Sequence, residues 1–563
     1  MATPFNIKKT TQVGRNGFDL SQRHLFGAVP GMLLPIMYED TLPGDSFKLG
    51  LDSFTRMRPM QTAAFARFKE YFDFFFVSKD TLWPYYNAMV VNNNEPQQLP
   101  NAGSTSVPSV VPNMLMADLL RWVREQTAAT NDDMDVPFAY GTVTLGDLLG
   151  LGDLWRASFD EGQENLAVSL LPWCCYQRIY ADYYRNPQWE RRDVLSYNLR
   201  NFYGDTNRIS LGAGDFDRRV NMFKMRYANW HKDYFMGLYP SQQFGDVSVV
   251  SVDPLVKGYN STYNSAIYNT GTNQSGRLPG QLINAYNDLV TSELSIIDLR
   301  RAQALQRLKE VTMTNGSSMY QQVKAHFGFE LPEGRKDAAE YIGGFDNVVV
   351  IDDVDATASG SNTDQTSSVG QIFGKARAAS DPNKVLDFTA KDFGYIMCIY
   401  HVEPLLDYSA LGIKHSNLIL TSADEFTPEF DKIGFGSLQS FELLAPNSQL
   451  TLFNSFTMGY TSRYLDRKVS YDRLHGSFMH RDIGNTDESW AVGLGRGVLN
   501  DRLQTGNLDF RFFKVDPYIA NNIMQVTFED ADIGGLVGFE PFMVKASFNI
   551  YKSSNMSVDS LPM

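Results

Sequence analysis

Cysteine is nearly absent from this chain: three in 563 residues, two of them adjacent as Cys174 and Cys175. That excludes a disulfide framework and predicts a reducing compartment. Long apolar runs are missing too. No run reaches the length of about 18 residues that marks a membrane-crossing helix, and Met1 to Thr10 has no hydrophobic signal core. The expectation is a soluble protein that is not secreted. Positive charge is in deficit, with 50 Lys and Arg against 64 Asp and Glu and a net charge of −14. Coating nucleic acid means neutralising phosphates, so that is excluded as the task of the whole chain, though not of a local basic face. No repeat at a fixed period occurs.

Catalytic signatures are equally scarce. GQIFGK at 370–375 is one residue short of a phosphate-binding GxxxxGK and lacks the following Ser or Thr. Gly493, Gly495 and Gly497 follow no buried strand of dinucleotide type. His475 and His480 are five apart, the wrong spacing for a helical metal pair, and Asp352, Asp353 and Asp355 lack the ligand spacing of a calcium loop. His401 and Glu403 can share a strand face, but a lone pair is no active site. No Gly-x-Ser-x-Gly elbow is present. The expectation is no catalytic residue, no metal site and no cofactor.

What the chain does have is apolar and aromatic residues, at 43% and 13%, with 43 Gly and 24 Pro. This favours many strands joined by irregular connections. The clearest pattern is Pro43 to Val77. Phe47, Leu49 and Leu51 fall on one face of a first strand. Ala66, Phe68, Phe72, Phe74 and Phe76 share a face of a second, broken by Glu70. A period of two with aromatics means strand. The opposite face also carries Tyr71, Phe75 and Val77, so this strand is expected to be covered on both sides, by a second sheet, a long loop or a neighbouring subunit. Tyr395 to Tyr400 is apolar on both faces, and Phe542 to Ile550 alternates cleanly.

Between these strands lie helical and polar stretches. Residues 112–126 carry a stripe of Leu115, Leu119 and Trp122, with Met116, Leu120 and Val123 beside it. Pro172 to Asn186 carries Trp173, Tyr176, Tyr180 and Tyr183 or Tyr184, opened by Pro172 and stopped by Pro187. Residues 295–312 and the stretch from Ser318 to Gly328 read as two further helices, the first with a stripe of Ile297, Ala304, Leu305, Leu308 and Val311. Residues 246–280 form a long polar loop without periodicity, and 352–368 are low in apolar content and expected to be mobile.

Two segments are locally basic. Residues 1–35 hold Lys8, Lys9, Arg15 and Arg23 against Asp19 alone and read as an extended arm. The arm is either a solvated tail or one that lies on a neighbouring subunit or on nucleic acid. Arg185 to Arg226 holds nine basic residues against five acidic ones, interleaved with aromatics such as Trp189, Tyr197 and Phe202. Arginine with aromatics is the composition that holds unstacked bases, and equally that of an arginine-rich surface packed on other protein.

Several stretches, taken in order, resemble a known family. RNGFDLSQRHLF (15–26), GMLLPIMYEDTLPGDSF (31–47) and FTRMRPMQTAAFARFKEYFDFFFV (54–77) resemble the N-terminal signature of major capsid proteins of the Microviridae, small phages with circular single-stranded DNA. LPWCCYQRIYADYYRNPQ (171–188), NWHKDYFMGLYPSQQFG (229–245), SMYQQVKAHFG (318–328), EYIGG (340–344) and FGYIMCIYHVEP (393–404) fall in the family's order, the likeness being to the gokushovirus-like branch. LYPSQQFG (238–245) departs from the proline- and tryptophan-containing turn common in the family.

The resemblance implies a mainly β fold, a viral jelly roll of eight antiparallel strands with large loop and helical insertions. The domain plan it implies is an arm at 1–35 and one jelly-roll domain at 36–563, with insertions over about 80–345. It places the strand near 45–53 beside the strand at 541–551. It implies self-assembly into a small icosahedral, T=1-like shell around single-stranded DNA, with a small basic DNA-packaging protein, minor virion proteins and a bacterial surface receptor as partners. The chain would reside in the virion, and in the host cytoplasm during assembly. The expected DNA-facing residues are Lys8, Lys9, Arg15, Arg23, Arg191, Arg192, Arg200, Arg218 and Arg219. The loop 246–280 is expected either to meet the host through Tyr259, Asn260, Tyr263, Asn264, Tyr268 and Asn269, or to be a disordered excursion or a clasp between subunits. The rival reading is a carbohydrate-active β-sandwich, lectin or glycosidase, suggested by the aromatics and carboxylates.

Overall fold

Ten strands make one connected antiparallel sheet in a computed structural model of the chain: β1 (Asn16–Asp19), β2 (Gln22–Ala28), β3 (Leu34–Thr41), β4 (Ser46–Met57), β5 (Phe68–Ser78), β6 (Glu340–Asp355), β7 (Ile372–Ala379), β8 (Val385–Thr389), β9 (Gly394–Pro404) and β10 (Phe542–Ser554). The structure describes residues 14–558 apart from 62–63, 92–109, 126–133, 135, 153, 155–165, 203–207, 210–219, 244, 246–254, 257–288, 291–295, 316–318, 330–337, 356–359, 363–364, 368–371, 380–384, 423, 433, 446–455, 481–485, 504–507 and 526–539.

The sheet doubles over into two facing halves. β6 belongs to both: up to Val349 it pairs with β5, and from Val350 it pairs with β7. One half runs β3–β9–β5–β6. The other runs β2–β10–β4, with β8 and then β7 along the far edge of β4 and β1 continuing the outer edge of β10. Strands β2 to β5 alternate between the halves, which is the arrangement of an eight-stranded jelly roll. The first long strand and the last lie side by side, with Phe542↔Met57 to Ser553↔Ser46 in register.

Alternation decides what lies between the halves. Phe47, Leu49 and Leu51 of β4 face Phe68, Phe72 and Phe74 of β5, all of them buried. Rings meet across the gap: Phe68 with Phe542, Phe26 with Tyr400 and Phe76 with Phe388, with centroids 5.1 to 5.2 Å apart. Burying each such side chain contributes about 1.5–3 kcal/mol. Glu70, the interruption in the β5 pattern, points into this core with no exposure. It is tolerated because three side chains donate to it: Thr55 Oγ1 at 2.6 Å, Asn347 Nδ2 at 3.0 Å and Tyr400 OH at 3.2 Å.

The second cover of β5 is helical. The helix Leu171–Ile179 opens with Pro172 and continues as a wider turn over Tyr180–Tyr184, where Arg185 N donates to Tyr180 O at 2.9 Å. It lays Tyr183 and Tyr184 on Phe75, and Tyr176 OH donates to Leu33 O at 2.9 Å. β9, between β5 and β3, is buried along its whole length. The helix Met116–Glu125 buries the expected Leu119, Trp122 and Val123.

The structure adds four details to the sequence reading. The stretch read as an arm is strand over Asn16–Asp19 and Gln22–Ala28, because the outer edge of β10 offers backbone groups that β1 and β2 satisfy. The 352–368 stretch, expected to be mobile, continues β6 to Asp355 on β7 and holds a small hairpin, Gly360–Asn362 with Gln365–Ser367; backbone pairing needs no apolar side chains. The described residues divide into two compact units, 1–240 with 332–563, and 241–331. Within the second unit, helices Ile296–Thr314 and Met319–Phe327 are joined by Gln322 Nε2 donating to Thr312 O, and Gly328, at φ +65°, closes the second. The first helix's stripe is not a core face: Leu305 and Leu308 are half exposed. No described helix is long and apolar enough to cross a membrane.

Candidate assembly and nucleic-acid surfaces

The start of the chain is tied to its end. Arg15 donates from Nε to Ser553 Oγ at 2.8 Å and from Nη2 to Ser46 Oγ at 2.6 Å, and Asn16 Nδ2 reaches Met556 O at 2.6 Å. Arg15, expected to face DNA, is exposed and donates to serines at the ends of β10 and β4. Arg23 is exposed on β2. Lys8 and Lys9 lie outside the described residues.

The arginine-rich stretch divides between two roles. Asp182 is the hub of one part. It accepts from Arg178 Nε at 2.7 Å, from Arg192 Nη2 and from Ala339 N at 3.0 Å, while both guanidinium groups lie over the Tyr197 ring. Arg226 donates to Gln177 Oε1 at 2.7 Å and covers the Tyr180 ring, and Arg185 donates to Glu190 O at 2.6 Å. Lys514, fully buried, meets Glu190 at 3.1 Å and Tyr180 OH at 2.6 Å. Such groups hold the fold, since removing one partner leaves a buried charge uncompensated. Arg192 thus belongs to the protein-packed alternative that the composition left open. Arg191 and Arg200 are exposed, and Arg218 and Arg219 lie outside the described residues. The i, i+4 spacing of Arg178 and Asp182 was the available signal for this network; the long-range partners Ala339 and Lys514 gave none.

A cleft of about 670 Å³ opens on the outward face of β3–β9–β5–β6, lined by Tyr71, Asp73, Asp346, His401 and Glu403 among others. The Tyr71 ring stacks on His401 at 4.8 Å. Asp73 accepts from Tyr184 OH at 2.8 Å and Tyr341 OH at 3.4 Å, and Lys69 pairs with Asp346 at 2.8 Å. Burial pushes the Glu403 carboxyl up to about 7 and the His401 imidazole down to about 3. His401 and Glu403 do share the strand face expected of them, and burial, with no third ligand, accounts for both shifts. Among the described residues no cluster of three or more His, Cys, Asp or Glu could hold a metal ion.

Other sequence candidates resolve into structure. β7 runs through GQIFGK from Ile372, so the segment is strand and not a phosphate loop. Cys174, Cys175 and Cys398 are free and buried. Tyr259, Asn260, Tyr263, Asn264, Tyr268 and Asn269 lie outside the described residues.

Comparison with known proteins supplies the context for these surfaces. The family of the capsid protein (F protein) matches residues 6–117 and 157–492, about four-fifths of the chain. Capsid protein VP1 of Chlamydia phage 1 is 21% identical over 570 residues, covering 87% of this chain and 89% of that protein. Capsid protein VP1 of Bdellovibrio phage phiMH2K is 22% identical over 481 residues, covering 79% of each.

Proposed function

The chain belongs to the capsid protein (F protein) family, and we propose on that basis that copies of it close into a small T=1-like icosahedral shell around circular single-stranded DNA. It is a structural capsid protein of small phages and not an enzyme, and the lectin or glycosidase alternative has no support. The observation that carries the reading is the family match along most of a chain folded as a jelly roll. A jelly roll leaves its loops free to grow, and a closed shell requires contacts repeated by symmetry.

Within that reading, exposed Arg23, Arg191 and Arg200 face the genome, together with Lys8, Lys9, Arg218 and Arg219. A small basic packaging protein supplies further neutralising charge, minor virion proteins complete the particle, and assembly takes place in the host cytoplasm. The polar stretch 246–280 meets a bacterial surface receptor through Tyr259, Tyr263, Tyr268 and the asparagines Asn260, Asn264 and Asn269 that follow them. Electron microscopy of the purified full chain is the test: uniform closed particles are expected, and a small oligomer under all assembly conditions would overturn the reading. Replacing 250–278 with a short Gly-Ser linker should leave shells intact and abolish attachment to cells. Failed assembly would make the loop a clasp, and normal attachment would place recognition elsewhere.

A further inference from the structure

A second pocket, of about 540 Å³, is built almost wholly from the long connection between β9 and β10. It shares no residue with the cleft around His401, and its size suits a small molecule. Its charge is one-sided: Lys414, His415, Arg467, Arg473 and His475 line it against Asp466 alone. The net charge of the chain is −14, so this local excess runs against its composition. Two of the basic groups have carboxylate partners. Arg467 Nη2 meets Glu425 at 2.6 Å, and His415 Nδ1 lies 3.1 Å from Glu442 Oε2. Among the described residues, Lys414, Arg473 and His475 meet no carboxylate.

Other side chains hold the basic groups in place. Arg473–Leu474 pairs in parallel with Tyr408–Ser409, which fixes the backbone at Arg473. Its Nη2 donates to Tyr471 OH, and its guanidinium lies over the Tyr471 ring, 4.4 Å from the centre. Tyr471 is locked in turn by Tyr234, Phe235 and Tyr408, with centroids 4.9 to 5.6 Å away. A guanidinium has five N–H donors, and those of Arg473 not turned to Tyr471 have no protein partner among the described residues. Buried Glu442 accepts from Tyr234 OH at 3.0 Å and faces His415. Its hydrogen bond holds the imidazole above its ordinary value, and with Nδ1 engaged, Nε2 is left for a ligand. Donors fixed in advance lose little freedom when a ligand binds.

The chemistry selects among anions. A phosphomonoester carries a charge of about −1.5 to −2 near pH 7 and three terminal oxygens, which matches several converging donors; a carboxylate offers one charge and two oxygens. A nucleic-acid strand wants open rings to stack on. The tyrosines here are occupied, Tyr471 by Arg473 and by Tyr234, which stacks on it at 5.3 Å. Ile419 and Val469 add apolar wall for whatever carries the phosphate. We propose that this pocket binds the terminal phosphate of a small phosphomonoester, held by Arg473 and Lys414 with His415 and His475 beside them. A sugar phosphate and a nucleotide both carry that group, and separate probes tell them apart.

The test is isothermal titration calorimetry of the purified full chain with inorganic phosphate, ribose 5-phosphate, AMP and unphosphorylated ribose. One site per chain is expected, with a dissociation constant of about 1 mM or below for a phosphorylated probe and no binding of ribose. Tighter binding of ribose 5-phosphate than of AMP assigns a sugar phosphate, the reverse order assigns a nucleotide, and equal binding of all three assigns the phosphate group itself. K414Q and R473Q should each weaken the best probe about tenfold, the loss of one charge-assisted hydrogen bond. The control Lys48→Gln, exposed on β4, should leave affinity unchanged. Near-ultraviolet circular dichroism establishes that each variant is folded, and exposed Lys414 serves if the Arg473 variant is not. No saturation by any phosphorylated probe, or unchanged affinity in folded K414Q, overturns the proposal. So does displacement of the bound probe by an oligothymidylate without a terminal phosphate at equal phosphate concentration, which would give the pocket to nucleic acid. Closed shells without phosphate binding remove the pocket alone, and phosphate binding by a chain that closes no shell removes the shell reading alone.

Discussion

Removing the last strand is the severest test of the fold. Truncation after Glu540 deletes β10, which lies between β4 on one side and β2 and β1 on the other. Its inward residues Phe542, Val544, Phe548 and Ile550 are at most 2% exposed. At about 1.5–3 kcal/mol for each, their loss removes roughly 6–12 kcal/mol of burial. The ladder bonds to β4 go with it, and three strand edges are left bare. The whole stability of a domain is about 5–15 kcal/mol, so the truncated chain should not fold. The measurement is soluble yield, near-ultraviolet circular dichroism and protease resistance beside the full chain. A graded version is Phe548→Ala: Phe548 packs against Phe74 and His24 and is 1% exposed, so its loss should cost about 3–5 kcal/mol. A truncated chain that is soluble, cooperative and protease-resistant would refute the argument that β10 is integral to the core.

Other expectations follow from single groups. Glu70→Leu removes the carboxylate acceptor of two buried donors, Thr55 and Tyr400, at about 1–3 kcal/mol for each left unpaired, while part-buried Asn347 keeps Ser53 Oγ as acceptor; Glu70→Gln keeps acceptor capacity, so thermal melting should fall sharply for the first and little for the second. Glu403 is held at about 7 against an ordinary 4.5, so the folded state is penalised once the carboxyl ionises. The Glu403 contribution is therefore fullest below about 4.5 and is lost as pH rises to about 7, by at most about 1.4 kcal/mol per unit, while His401, held at about 3 against an ordinary 6.5, contributes in the opposite sense between about 3 and 6.5; Glu403→Gln should therefore make stability rise more steeply with pH from about 4.5 to 6.5, and identical pH profiles would refute the assignment. Arg15→Ala should speed hydrogen exchange over Asn16–Asp19 without changing the β4–β10 core, because Arg15 ties β1 to Ser553 and Ser46. Gly412→Ala would bring a Cβ within 2.0 Å of Glu442 O, a clash with backbone that should prevent normal folding.

Much of the sandwich could be read from the chain because a period of two is a local property. The alternation of β4, β5 and β10 told which face is buried, and the double apolar face of β5 told that it has two covers. The identity of the second cover, Tyr183 and Tyr184 on Phe75, required residues more than a hundred positions apart to meet. The extra residue of the turn at Tyr180–Tyr184, which aims those rings, is a backbone feature with no compositional sign. Composition alone gave no sign of the strand pairing within 352–368, since a strand pairs through its backbone. It also left the arginines of 185–226 between two readings, because a guanidinium is equally at home on phosphate, carboxylate or a ring.

Periodicity and ordered motifs in the sequence thus determined the strands and the resemblance to a capsid family, since each is set by residue type and near-neighbour spacing. Only the tertiary structure decided which charges are consumed inside the fold and which remain on a face. Arg15 and Lys514 are satisfied by partners distant in sequence, while Arg56, Lys545 and Arg23 are brought onto one surface by the register of three strands. Electrostatic interaction depends on distance in space, and the chain by itself does not state that distance.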